Sequence, residues 1–176
     1  MSEVRNADID YLMARIALDD LAGRYSRAID RRDMDLLRSV YHPGAHDEHG
    51  TAYAGEVDGF IEAMPGLMAN FSVTQHQIHT RSFRIDGNRA DGELYFTAYH
   101  KTIEPMTHLV VHGRYLDNYE KRGGEWRIAR RKLVWDAIVS QPVQESEEEL
   151  LASLGETGKA EDDYSYDALP LMQRGT

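Results

Sequence analysis

The run Val73-Thr74-Gln75-His76-Gln77-Ile78-His79-Thr80-Arg81-Ser82-Phe83-Arg84-Ile85, followed by Asp86-Gly87-Asn88, decides how this chain is read. Apolar, β-branched and aromatic residues recur through it without a proline, and Asp-Gly supplies the backbone freedom a tight hairpin turn needs. The run is therefore expected to be a long strand entering a hairpin. His76 shares strand parity with Ile78, and His79 shares it with Phe83 and Ile85. On a regular strand the two imidazoles point to opposite faces. His76 is taken as facing inward and His79 as facing away, although a bulge between them would bring both apolar sets to one side and reverse the assignment of His79. An imidazole titrates near neutral pH, so one on the inner face of a strand suits acid–base chemistry.

Three more strands follow at hairpin spacing. Arg89 to Ile103 sets Leu94, Phe96, Ala98 and His100 against Tyr95, Thr97 and Tyr99. His108 to Glu120 turns at Arg122-Gly123-Gly124. Glu125 to Val139 sets Trp126, Ile128, Arg130, Lys132 and Val134 against Arg127, Ala129, Arg131, Leu133 and Trp135. Upstream the period changes to that of a helix. Ala7 to Arg31 carries one apolar set, Ile9, Leu12, Met13 and Ile16, and a second, Leu18, Leu21, Ala22, Tyr25, Ala28 and Ile29. Asp33 caps a short helix to Tyr41, which His42-Pro43-Gly44 stops. Ala45 to Gly50 is polar, with Gly50 marking a turn, and Thr51 to Gly55 reads as a short strand or hairpin arm. Val57 begins a third helix, which Pro65 is expected to kink or divide. Helices followed by antiparallel strands define an α+β fold.

With 176 residues, no cysteine and no apolar run long enough to span a bilayer, the chain is read as one cytoplasmic domain without disulfides, signal peptide or membrane span. Its net charge of −10 is uneven. From Gln141 onward nine acidic residues face only Lys159 and Arg174, which leaves −3 for residues 1–140. The chain accordingly divides into a domain, 1–140, and an acidic extension, 141–176. The extension has a helix from Ser146 to Leu154, a mobile connection at 155–159, and a Tyr164–Met172 segment apolar enough to cover a cavity mouth or a neighbouring subunit. Nucleic acid is not expected as a partner. Eight histidines, with Asp47 and Glu48 among them, raise the question of a metal, but no ligand spacing is met, so no metal and no cofactor are expected.

The segments Arg24-Tyr25-Ser26-Arg27-Ala28-Ile29-Asp30, Gln75 to Thr80, Ile85 to Ala90, Gly113 to Glu120 and Gly124 to Ile128 together resemble the SnoaL-like branch of the nuclear-transport-factor-like superfamily. The resemblance covers roughly Asp8 to Ala137. It implies a cone-shaped α+β barrel: a strongly curved, mostly antiparallel sheet with three N-terminal helices. By resemblance to the dehydratases and dehydrochlorinases of that branch, Asp30 and His76 would form a catalytic dyad, with Tyr25 as acid or hydrogen-bond donor. The aspartate that the bile-acid dehydratases carry on the sheet falls at Ala98, which sets this chain apart from them.

The chemistry follows from the residue types. A neutral imidazole whose second nitrogen donates to a carboxylate can abstract a proton. His49 and His100 are candidates for a second acid or a polar anchor, and Arg131 and Trp135 share the strand face that reaches a pocket. Met64, Met68, Phe71, Phe96, Leu109, Val111 and Trp135 are core residues or cavity lining. The resemblance implies a cofactor-independent dehydratase-type lyase acting on a hydrophobic cyclic molecule. A ketosteroid-type isomerase or polyketide cyclase is the first alternative, and a noncatalytic subunit such as the small subunit of a ring-hydroxylating oxygenase is the second. A homo-oligomer, trimer or dimer, is expected.

Overall fold

A computed structural model describes residues 6–154 and 162–176. The elements run α1 (Asn6–Asp30), α2 (Met34–Val40), β1 (Tyr41–Glu48), β2 (Ala54–Glu56), α3 (Val57–Met68), β3 (Phe71–Asp86), β4 (Arg89–Thr102), β5 (Thr107–Arg122), β6 (Glu125–Pro142), α4 (Glu145–Ser153) and α5 (Ser165–Ala168). One curved six-stranded sheet has the order β2-β1-β6-β5-β4-β3. All its pairings are antiparallel except β1 with β6. The sheet stays open, with β2 and β3 at its edges, and the three N-terminal helices pack on its concave side. No helix among the described residues is long and apolar enough to cross a membrane.

Bulges let long strands keep a single inner face. On β3 the register shifts between Ile78 and Arg81. Phe83 and Ile85 thereby join Ile78 against the core, while His79 and Thr80 remain exposed. The bulge consists of His79 and Thr80 opposite Tyr95, and both side chains stay outside. On β6 a shift opposite Asn118 and Tyr119 inserts Ala129. It places Trp126 and Ile128 on the same buried face as Arg131 and Leu133, where strict alternation had opposed them. Each extra residue bends the strand and raises its twist, which curves the sheet. Gly113 serves the same packing, because a Cβ there would stand 2.5 Å from the Val134 carbonyl oxygen.

Two local readings are corrected, and the two apolar sets of α1 are resolved. The two apolar sets of α1 lie on opposite sides of the helix, since 3.6 residues per turn puts Ile9, Leu12, Met13 and Ile16 roughly half a turn from Leu18, Leu21 and Tyr25. The second set is buried and the first is exposed. Pro65 neither divides nor ends α3, which runs on to Met68. His42 to Glu48 is not a stop and a polar lead into a turn but most of strand β1, held between β2 and β6. Its pairing partner β6 lies some 80 residues away, so the pairing itself is not announced locally.

The acidic extension docks at two places. Glu148 of α4 pairs with Lys101 at 2.9 Å, and Glu147 with His108 at 3.1 Å. The C-terminal segment packs against the end of α1 rather than over a cavity mouth. Arg27 donates to Ser165 and to the Met172 carbonyl, Asp163 pairs with Arg31 at 3.3 Å, and the Tyr166 ring lies between Arg27 and Arg174. The connection expected at 155–159 lies outside the described residues.

At the centre of the sheet Arg131 is 1% exposed. It donates through Nε and Nη2 to Asp117 at 2.8 and 2.6 Å, and Asp117 also accepts from Tyr119. Removing one partner of such a pair leaves a buried charge uncompensated. Asp117→Ala is expected to lower the unfolding free energy by about 3–5 kcal/mol, read as a fall in the urea midpoint. Replacing Asp117 and Arg131 together by leucine and methionine is expected to recover much of that loss.

Candidate functional site

Between the helices and the concave face lies a cavity of about 340 Å³, within the range of small-molecule sites. Its wall is largely apolar. Ile29 comes from α1, Phe60, Met64, Leu67 and Met68 from α3, Phe71 from the start of β3, and Phe96, Ala98, Leu109, Val111 and Leu133 from the sheet. All seven residues proposed from the sequence as core or lining are in this wall. Five polar aromatic groups interrupt it: Tyr25, His49, His76, His100 and Tyr115. Trp135 and Ile138 stand at its rim, 47% and 58% exposed.

Asp30 is the last residue of α1, on the face that carries Ala22 and Ile29 into the core. Its carboxylate meets β3 twice. Oδ2 accepts the His76 backbone N–H at 2.8 Å, and Oδ1 lies 2.7 Å from His76 Nδ1. Burial pushes the Asp30 carboxyl upward, but the His76 ring and backbone and the Thr74 hydroxyl outweigh it and hold the group below its ordinary value. Asp30 is thus a carboxylate, and an acceptor at Nδ1 selects the tautomer in which Nε2 carries the lone pair. The His100 ring packs edge-on against His76, with centroids 5.3 Å apart. Burial first, and the neighbouring His76 second, lower His100 to about 4, so it is a neutral imidazole at neutral pH. Its Nδ1 is buried without a hydrogen-bond partner among the described residues.

A second carboxylate–imidazole pair faces the first. Asp47 on β1 is fully buried. It accepts from the Tyr41 hydroxyl at 2.5 Å and bonds His49 Nδ1. The His49 ring stacks on Phe60, and its Nε2 lies 3.5 Å from the Tyr25 hydroxyl. Tyr25 is raised to about 12, chiefly by burial, and is a phenol at neutral pH. Sequence reasoning missed Asp47 as a site residue because it read Ala45 to Gly50 as a polar segment leading to a turn at Gly50 and not as part of a strand. The alternation of Ala45, Asp47 and His49 toward one side was the available signal.

Of the residues singled out from the sequence, Tyr25, His49, His76, His100 and Trp135 meet in the cavity wall, and Asp30 stands directly behind His76. Arg131 does not line the cavity. Its guanidinium lies 4.0 Å from the ring centroids of both Tyr25 and Tyr115, behind them. The bulge at Ala129 sets its face, and the ion pair with Asp117 keeps it inside the sheet core. His79 bonds Thr97 on the outer face at 2.9 Å, and Thr97 in turn meets His112. Among the described residues no three His, Asp or Glu side chains gather as a metal site.

The architecture and this site are those of a small-molecule-binding α+β domain. The chain belongs to the SnoaL-like domain family, which matches residues 10–132. An uncharacterized protein of Mycobacterium tuberculosis H37Rv, Rv2910c, is 28% identical over 122 residues, covering 66% of this chain and 82% of the relative. A protein provisionally named a scytalone dehydratase, from Novosphingobium aromaticivorans DSM 12444, superposes with a TM-score of 0.69 at 18% identity, covering 76% of this chain and 91% of that one. The hexachlorocyclohexane dehydrochlorinase LinA-type3 from Novosphingobium barchaimii LL02 superposes with a TM-score of 0.70 at 17% identity, covering 76% and 94%.

The depressed His100 pKa makes a signed prediction. The unfolded chain gains a proton on this imidazole below about pH 6.5, whereas the folded protein does so only near pH 4. Stability is therefore lost as pH falls from about 6.5 to about 4 and levels off below. In urea titrations across that window, His100→Gln is expected to show a shallower decline than the parent.

Proposed function

We propose that this protein is a lyase of the dehydratase type, acting without a metal or organic cofactor on a hydrophobic cyclic small molecule. The observation that carries this reading is the Asp30–His76 pair in an apolar cavity. His76 is the general base. Asp30 fixes its tautomer and ring orientation, and stabilises the imidazolium once His76 has taken a proton from carbon. Tyr25, held as a phenol, supplies the proton or hydrogen bond to a substrate oxygen. His49, His100 and Trp135 contact the substrate, and Arg131 acts from behind Tyr25.

The names of the two structural neighbours describe eliminations, of water and of hydrogen chloride, which agrees with this chemistry. A noncatalytic assembly subunit needs no oriented base in its cavity, and the 2.7 Å contact favours the enzyme over that alternative. Self-assembly as a trimer or dimer belongs to the same reading. The exposed Ile9, Leu12, Met13 and Ile16 on α1 support it, and sedimentation equilibrium is expected to give a multiple of the chain mass of 20.1 kDa.

Turnover is to be sought with a panel of hydroxylated cyclic ketones, read as the absorbance of the newly conjugated product. His76→Ala and Asp30→Asn are each expected to lower it by at least about a hundredfold while leaving the circular dichroism spectrum unchanged. Activity retained in both variants rules the dyad out.

A further inference from the structure

A phenol buried as Tyr25 is does not hold a negative charge: burial and the nearby Asp47 carboxylate raise it, and Arg131 only partly offsets them. If Tyr25 gives its proton to a substrate, that proton must be replaced in the same event. The structure holds a group built for that replacement. His49 lines the same cavity as His76, and its Nε2 lies 3.5 Å from the Tyr25 hydroxyl. Contacts of this length in an unliganded site tighten when substrate is bound. Its other nitrogen is fixed by Asp47, whose second oxygen is taken by Tyr41. Phe60 clamps the ring at a centroid distance of 4.8 Å.

We propose that Asp47, His49 and Tyr25 form the proton-delivering arm of the site, opposite the proton-accepting arm of Asp30 and His76. The inference rests on the elimination reading above. His76 Nε2 takes a proton from carbon, and the C–H electron pair becomes the second bond of a carbon–carbon double bond. The carbon–oxygen bond breaks with its pair going to oxygen. That oxygen takes the Tyr25 proton, and the Tyr25 oxygen takes the proton from His49 Nε2. The substrate loses water, and one proton has moved from His49 to His76. Exchange with solvent resets both. His49 acts through Tyr25, and Asp47 is a positioning residue. The substrates that need this arm carry oxygen as the leaving group, because a halide departs as a stable anion and needs no proton.

The groups facing His49 are Asp47 from β1, Tyr25 from α1 with Arg131 of β6 behind it, Tyr115 from β5 and the uncharged Phe60 from α3. His49 delivers from the form that carries a proton on both ring nitrogens, with Nδ1–H held by Asp47 and Nε2–H aimed at Tyr25.

The test uses 3-hydroxy-1-tetralone, whose loss of water gives 1-naphthol, read by absorbance. His49→Gln and Tyr25→Phe are each expected to lower kcat by about a hundredfold with KM little changed. The double variant is expected to be no slower than the slower single one. In protein carrying ¹⁵N-labelled histidine, Tyr25→Phe is expected to shift the His49 Nε2 resonance and Asp47→Asn the Nδ1 resonance. Parental turnover in His49→Gln, losses that multiply in the double variant, or His49 resonances unmoved in both variants would overturn the proposal. His76→Ala is the separate control: turnover retained there removes the elimination reading, whatever His49 does.

Discussion

The carboxylate of Asp30 fastens the end of α1 to the first long strand, and the arrangement of the cavity depends on that attachment. One oxygen takes a backbone N–H of β3 and the other takes the ring of the same residue, so a single side chain sets both the seat of the helix on the sheet and the aim of His76. A carboxylate in a last helical turn opposes the helix dipole. Here the two charge-assisted bonds to His76 more than offset that cost and the cost of burial, and the group stays ionised. The C-terminal segment braces the same helix end from outside through Arg27, Arg31 and Asp33. The acidic extension thereby supports the site without entering it.

Three buried carboxylates inside this domain are each paired with a basic side chain, solving the same problem in a different place. Arg131 with Asp117, Asp30 with His76, and Asp47 with His49 each put a charged or chargeable group in apolar surroundings with its partner supplied. The first lies behind two tyrosine rings and has no opening to the cavity, so it organises the sheet. The other two present an imidazole to the cavity. Their carboxylates come from α1 and β1, elements that meet only through the fold.

The long strands were legible because four runs of alternating residues sit between turn-forming pairs, and the period of two survives any tertiary context. The inward set of β4 needed nothing more. Where a bulge intervenes, alternation alone misassigns the residues beyond it. Arg131 and Ile128 differ in parity yet share a buried face, because Ala129 is the extra residue. On β3 the bulge expected from the apolar sets exists, but His79 and Thr80 themselves form it and both stay outside. Strand β1 was not legible. Pro43 and Gly44 look like a stop, and the parallel partner that makes Tyr41 to Glu48 a strand is distant in sequence. With β1 misread, Asp47 could not be placed beside His49.

The sequence by itself determined the class of fold, the succession of helices and long strands, and the histidine and carboxylate candidates, because residue type and local period carry that information. It also carried the family resemblance that paired Asp30 with His76. Only the tertiary structure decided which nitrogen of each histidine is held, that Arg131 serves the core rather than the cavity wall, and that a second Asp–His pair faces Tyr25. Those facts depend on distances between elements and on where single extra residues shift a strand register, and neither is encoded in local periodicity.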